Sequence, residues 1–194
     1  MAVNPKDLLR HYYTLEEYFA LERVGEARYE YWNGEIVCMS GGTLQHAIIS
    51  GNFIINLGRQ LAGGKCRAFT ADMAVKTPFL PPYRYPDLSV VCGRLAVEDI
   101  EGIAVLTNPV LLVEVLSPGT ENRDRNEKRN AYQALPSLQE YLLVEQKSPH
   151  LTHYVKENDQ WSRRDYADLS TVIELPSIGC RLSLGEVYEG VEFE

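Results

Sequence analysis

Between Ile48 and Leu61 apolar residues recur at helical spacing, through Ile49, Phe53, Ile54 and Leu57. That period predicts a buried helix, and Gly63-Gly64 supplies its C-cap. Upstream, Thr14-Leu-Glu-Glu17 matches a capping box running into Tyr18, Phe19 and Leu21, so a first helix is expected there. Asn33-Gly34 separates two short strand-like stretches, 28–32 and 35–39, and reads as the tight turn of a hairpin.

Beyond the glycines the pattern turns strand-like, at 66–70, 73–77, 85–92 and 110–116. Pro78, Pro81 and Pro82 fall between the second and third of these, where proline does no harm to a ladder. The run VLLVEVL is apolar on both faces except for Glu114, the mark of a central strand covered on both sides. A helix is expected over 120–135, stopped by Pro136, followed by strands at 140–145, 151–155, 161–166 and 172–175. Glu157-Asn158-Asp159 reads as a hairpin connection. Strands, a helix, then more strands imply an α/β chain of the α+β kind. Its expected form is a mixed central sheet flanked by helices, with additional hairpins, in one domain spanning 1–194.

A chain of 194 residues buries about 70% of its unfolded surface and needs no staples. Cys38, Cys66, Cys92 and Cys180 form no CxxC motif and sit in apolar surroundings, so they are expected to be buried free thiols of a reducing compartment. The opening MAVNPKDLLRHYY has no basic-then-apolar export pattern, and no apolar run reaches the ~20 residues that span a bilayer. A cytoplasmic location is expected. The net charge of −8 argues against a broad basic face for nucleic acid. One local concentration exists, at Arg123, Arg125, Lys128 and Arg129, so a DNA contact would have to use it or a second subunit.

Glu114 is the most informative residue. Burying its charge inside VLLVEVL is expensive unless the carboxylate lies at a strand end, meets a partner or binds a cation. Asp87 follows Pro86 at the head of another apolar strand. Neighbouring strands run ~4.8 Å apart, so two carboxylates at their ends can share one hard cation. On the 120–135 helix, Asp124, Lys128 and Tyr132 fall at i, i+4 and i+8, on one face. Lys128 is the candidate cation beside an attacking water or a scissile phosphate; an ordinary Asp–Lys helix pair over a packed Tyr132 is the alternative.

Taken together, PD…LVEVLSPGT…D…K…Y, from Pro86 to Tyr132, resembles the PD-(D/E)xK nuclease superfamily, and more narrowly the Uma-two family within it. YEYWNGEIVCMSGG followed by His46 is similar to the family's N-terminal signature, and EYLLVE resembles its post-helix strand. The resemblance spans roughly 10–187 and rests on motif order more than on any one piece. It implies a restriction-endonuclease-like core with Mg²⁺, or Mn²⁺ in its place, held by Asp87, Glu114 and the Val115 backbone carbonyl. The superfamily lysine two residues after the acid is Leu116 here, and Lys128 matches the helix position from which relatives recruit one. Glu30 matches a family glutamate near the metal. His46 is expected to hold a structural hydrogen bond or bind phosphate; Ser117 and Thr120 either cap the helix or touch substrate.

The expected activity is Mg²⁺-dependent endonucleolytic hydrolysis of DNA, with a two-fold dimer suiting a duplex. The alternatives are a catalytically weak nucleic-acid-binding or regulatory module, and a structural protein in which Glu114 merely pairs with Lys128.

Overall fold

The computed structural model describes residues 12–25, 27–39 and 42–193. The opening decapeptide, and Ser40 and Gly41 of the N-terminal signature, lie outside them. Helix α1 (Leu15–Val24) begins at Thr14 with the expected capping box: the Thr14 side chain accepts from the Glu17 N–H and Glu17 accepts from the Thr14 N–H. Strands β1 (Tyr29–Trp32) and β2 (Glu35–Cys38) form the expected hairpin. Its turn places Asn33 at φ 47° and Gly34 at φ 92°. Only glycine suits the second position, because a Cβ there would come within 2.8 Å of the Tyr12 ring.

Helix α2 (Leu44–Leu61) buries Ile49, Phe53, Leu57 and Leu61, one per turn. Each such side chain withdrawn from water contributes about 1.5–3 kcal/mol. The stripe packs on one face of a six-stranded mixed sheet. That sheet comprises β3 (Cys66–Thr70), β6 (Leu88–Cys92), β9 (Leu111–Val115), β10 (Glu140–Val144), β11 (Leu151–Glu157) and β12 (Gln160–Tyr166). The strand order is β12-β11-β10-β9-β6-β3, with β9 and β10 parallel and every other pair antiparallel. A parallel pair needs a crossover, and the helix after β9 provides it.

A second sheet holds β4 (Ala74–Lys76), β5 (Tyr83–Arg84), β7 (Val97–Ile100) and β8 (Ile103–Leu106). The hairpin β13 (Val172–Leu175) with β14 (Cys180–Ser183) and helix α5 (Leu184–Val187) complete the cover over α2. The fold class is as expected, but β5, β7, β8, β14 and α5 were not anticipated. Strand β7, VEDI, is largely exposed, so it carries no apolar alternation to read.

The expected helix over 120–135 forms as three joined pieces. They are α3 (Glu121–Arg123), a π-helical turn over Asp124–Lys128, and α4 (Arg129–Gln133). Such an insertion widens the helix by one residue and is frequent at functional sites.

The cysteine expectation fails. Cys66 and Cys92 are register partners on β3 and β6 and are joined by a disulfide, and Cys38 is exposed. Only Cys180 is the buried thiol expected. No motif spacing announces a bond that depends on strand pairing, and the cysteines no longer argue for a reducing compartment. No helix among the described residues is long and apolar enough to cross a membrane.

Helix α1 is tied to the first hairpin by Glu22, whose Oε1 accepts from the Tyr29 N–H at 2.7 Å and whose Oε2 accepts from the Tyr85 hydroxyl. Burial raises the Glu22 pKa above its ordinary 4.5, against the opposing pull of those two donors. With the folded value above the unfolded one, this group's contribution is fully present below about pH 4.5 and is lost as pH rises through the folded value. Glu22→Gln should therefore gain stability relative to wild type as pH rises above that point. Denaturant melts of both chains at pH 4 and pH 7 measure the difference.

Candidate active site

Along β9, alternate side chains enter opposite layers. Leu111, Val113 and Val115 join the core beneath α2, whereas Leu112 and Leu116 join the core beneath α4 with Tyr132, Tyr141 and Leu143. Period two therefore sends Glu114 to the α4 side, and it is 3% exposed there. Leu88 of β6 pairs with Val113, so one step further Asp87 stands opposite Glu114 at the end of both strands. The Val115 N–H donates to Asp87 Oδ2 at 2.6 Å, fixing that carboxylate. Its other oxygen lies 3.2 Å from His46 Nε2, on the first turn of α2.

Lys128 occupies the centre. Its Nζ lies 2.7 Å from Glu30 Oε1, 3.2 Å from Asp124 Oδ1, and 3.3 Å and 3.4 Å from the two Glu114 oxygens. The Tyr132 hydroxyl donates to Glu114 Oε1 at 3.2 Å. Thr120 Oγ1 donates to Asp124 Oδ2 at 2.6 Å, and Ser117 Oγ lies 2.9 Å from Thr120 Oγ1. Thr120 stands at the helix start without making a side-chain cap; its hydroxyl aims Asp124 instead. The sheet, helix and first hairpin meet at a cleft of about 320 Å³ lined by Glu30, His46, Asp87, Glu114, Val115, Ser117, Thr120 and Lys128.

Burial raises the Glu114 pKa well above its ordinary value; Lys128 opposes this, while Asp124, Asp87 and Glu30 add to it. Asp124 is raised for the same first reason. Lys128 is raised although burial alone would lower it, because Glu114, Glu30 and Asp124 surround it. The causes differ: loss of water leads for the two carboxyls, whereas for the ammonium the surrounding carboxylates outweigh it. Four carboxylates face Lys128 and His46, leaving a formal excess of two negative charges even with His46 protonated.

Among the described residues, no three His, Cys, Asp or Glu side chains form a ready metal cage. What the cleft offers is hard oxygen donors: the carboxylates of Asp87 and Glu114 and the backbone at Val115. That set suits Mg²⁺, which commonly takes one or two carboxylates and keeps several waters.

The candidate residues Glu30, His46, Asp87, Glu114, Val115, Ser117, Thr120 and Lys128 thus lie on one cleft, and Asp124 and Tyr132 bond to its lining from behind. Leu116, in the superfamily's lysine position, is 5% exposed and packs in the core on the same face as Glu114. Lys128 reaches that face from the helix above. Two residues were missed, Trp32 and Arg84. The Trp32 Nε1–H donates to Glu30 Oε2 at 3.2 Å, and the Arg84 guanidinium lies 4.1 Å from the centre of the Trp32 ring. Period two along β1 was the available signal, since it puts Trp32 on Glu30's face.

The expected basic cluster is not a free cationic patch. Lys128 is buried among acids, Arg125 bonds Glu121 and Glu145, Arg123 pairs with Glu35, and Arg129 lies over Tyr154.

A mixed sheet flanked by helices, with an acidic pair on adjacent strands, makes this a nuclease-like α+β fold. The crystal structure of "a putative nuclease belonging to DUF820" from Anabaena variabilis superposes with a TM-score of 0.69, covering 86% of this chain and 93% of that one. At 18% identity the likeness is one of fold. The chain belongs to the Uma2 family, described as "Putative restriction endonuclease", whose model matches residues 15–185. Two Synechocystis proteins are similar over most of their length. "Uncharacterized protein slr1290" is 35% identical over 92% of both chains, and "Uncharacterized protein sll1609" is 33% identical over 76% of this chain and 84% of its own.

Removing Lys128 leaves Glu30, Glu114 and Asp124 buried without their shared cation. Lys128→Ala should cost about 3–5 kcal/mol of stability in the presence of chelator, as breaking a buried ion pair does. Urea denaturation of the two chains checks this.

Proposed function

We propose that this protein is a metal-dependent endonuclease that hydrolyses phosphodiester bonds in DNA, with Asp87 and Glu114 as its metal ligands. The observation that carries the reading is the convergence of Asp87, Glu114 and Lys128 on one cleft at the ends of two paired strands. Membership of a family described as restriction endonucleases supports the reaction class.

In this reading Mg²⁺, with Mn²⁺ as a substitute, is held by the two carboxylates and the Val115 carbonyl. When bound, it polarises a phosphate oxygen and lowers the pKa of a bound water. The chain's own groups do the rest. The Val115 N–H holds Asp87 Oδ2, leaving Oδ1 toward the cleft beside His46. Tyr132 and Lys128 orient Glu114, and Lys128 opposes the upward shift that burial imposes on its carboxyl. Lys128 stabilises negative charge developing on the phosphate. Glu30 and Asp124 set where that ammonium sits.

The acidic balance and the pairing of Arg123, Arg125 and Arg129 favour a second reading, a regulatory module with weak catalysis on the same fold. A second subunit is the natural source of further phosphate contacts, since a two-fold dimer matches the duplex dyad.

Cleavage of plasmid and oligonucleotide DNA with Mg²⁺ or Mn²⁺ separates the two. Asp87→Ala and Glu114→Ala should each lower cleavage by at least roughly 100-fold, the scale of losing one transition-state stabilising group. Both should also abolish Mg²⁺ binding by calorimetry. Cleavage indifferent to both substitutions would remove the site; Mg²⁺ binding without cleavage in the wild type would favour the module.

A further inference from the structure

Glu30 reaches Lys128 from a two-stranded hairpin that belongs to neither sheet. Contacts of Tyr29 and Tyr31 with α1 and the second sheet anchor that hairpin through its other face and leave the Glu30 side chain to be set by neighbours on its own face. Glu30 makes the shortest of the Lys128 contacts, 2.7 Å. Something must fix its rotamer.

The neighbouring geometry supplies the cause. Glu30 and Trp32 share the buried face of β1, while Tyr29 and Tyr31 turn to the other side and pack against α1 and the second sheet. The indole N–H takes one Glu30 oxygen and the Lys128 ammonium takes the other. Trp32 is itself held by two guanidiniums, Arg84 at 4.1 Å and Arg123 at 4.8 Å from its ring centre. Arg123 pairs with Glu35 of the same hairpin at 3.3 Å. Arg84 is 6% exposed, and its Nε and Nη1 have no hydrogen-bond partner among the described residues. A buried guanidinium without such partners is unusual. The ring face of Trp32 compensates in part, as cation–π contacts do best when desolvated.

We propose that Trp32 is a positioning residue for Lys128, acting through Glu30. Arg84 and Arg123 clamp the indole, the indole N–H orients Glu30, and Glu30 sets the ammonium against Glu114. The role of Trp32 in cleavage rests on the nuclease reading above; its hold on Lys128 does not.

Trp32→Phe keeps an aromatic ring beside the guanidiniums and removes the N–H. Amine labelling of the full-length chain, without nucleic acid or metal and read by mass spectrometry, follows Lys128 directly. Lys128 should label roughly tenfold faster in Trp32→Phe, the equivalent of ~1.4 kcal/mol for a hydrogen bond to a charged group. Lys76, Lys147 and Lys156 should label at wild-type rates, which excludes global unfolding as the cause. Unchanged Lys128 labelling overturns the proposal.

A second observation uses the intact residue. The chain has two tryptophans, so a ¹⁵N-indole spectrum shows two signals. Glu30→Ala should move the Trp32 signal and leave that of Trp161 in place; a stationary Trp32 signal also overturns the proposal. If the wild type cuts DNA, Trp32→Phe should lower kcat roughly 10- to 100-fold with KM unchanged, the pattern of a misplaced group. If it cuts nothing while Lys128 labelling still rises, the positioning stands and the nuclease reading falls.

Discussion

One ammonium group organises the centre of this molecule. Lys128 Nζ joins Glu30 of the first hairpin, Glu114 of a central strand and Asp124 of its own helix, all three nearly inaccessible to water. Three buried carboxylates so close together would repel one another and suffer heavy desolvation. The lysine makes the assembly tolerable and so fixes where hairpin, sheet and helix meet. The π-helical turn between Asp124 and Lys128 belongs to the same constraint, since it shapes the stretch of helix that presents both charges to Glu114.

The sheet supplies the remaining precision. Antiparallel pairing of β6 with β9 sets Asp87 opposite Glu114, and the Val115 N–H pins Asp87 from the neighbouring strand. The parallel pairing of β9 with β10 obliges the chain to cross over the sheet. The helix that makes this crossing is the one that carries Lys128 and Tyr132 down onto the Glu114 face. Topology and chemistry are thus one arrangement: the crossover that builds the sheet also completes the site.

Electrostatically the protein is turned inward. Its most concentrated cations, on the helix after β9, meet carboxylates and aromatic rings of the same chain. The cleft keeps an acidic surplus, which attracts cations and repels a phosphate chain.

Much of this was legible in the sequence. The apolar stripe of α2, the capping box of α1, the Asn33-Gly34 turn and the lone acid in VLLVEVL each depend on neighbours a few residues away. Local sterics and periodicity determine such features and single out Asp87 and Glu114, whereas Lys128 and Glu30 were named with the help of the family resemblance. What escaped depended on contacts between distant segments. The exposed strand β7 shows no apolar period, and the Cys66–Cys92 bond follows from the register of two strands. The pairing of the helix arginines, which erases the expected basic patch, joins residues from separate elements. The clamp of Arg84 on Trp32 spans 52 positions, and no spacing rule reaches that far. The sequence by itself determined which residues are candidates for the chemistry; only the tertiary structure decided what each one touches, because charge and burial are set by neighbours in space.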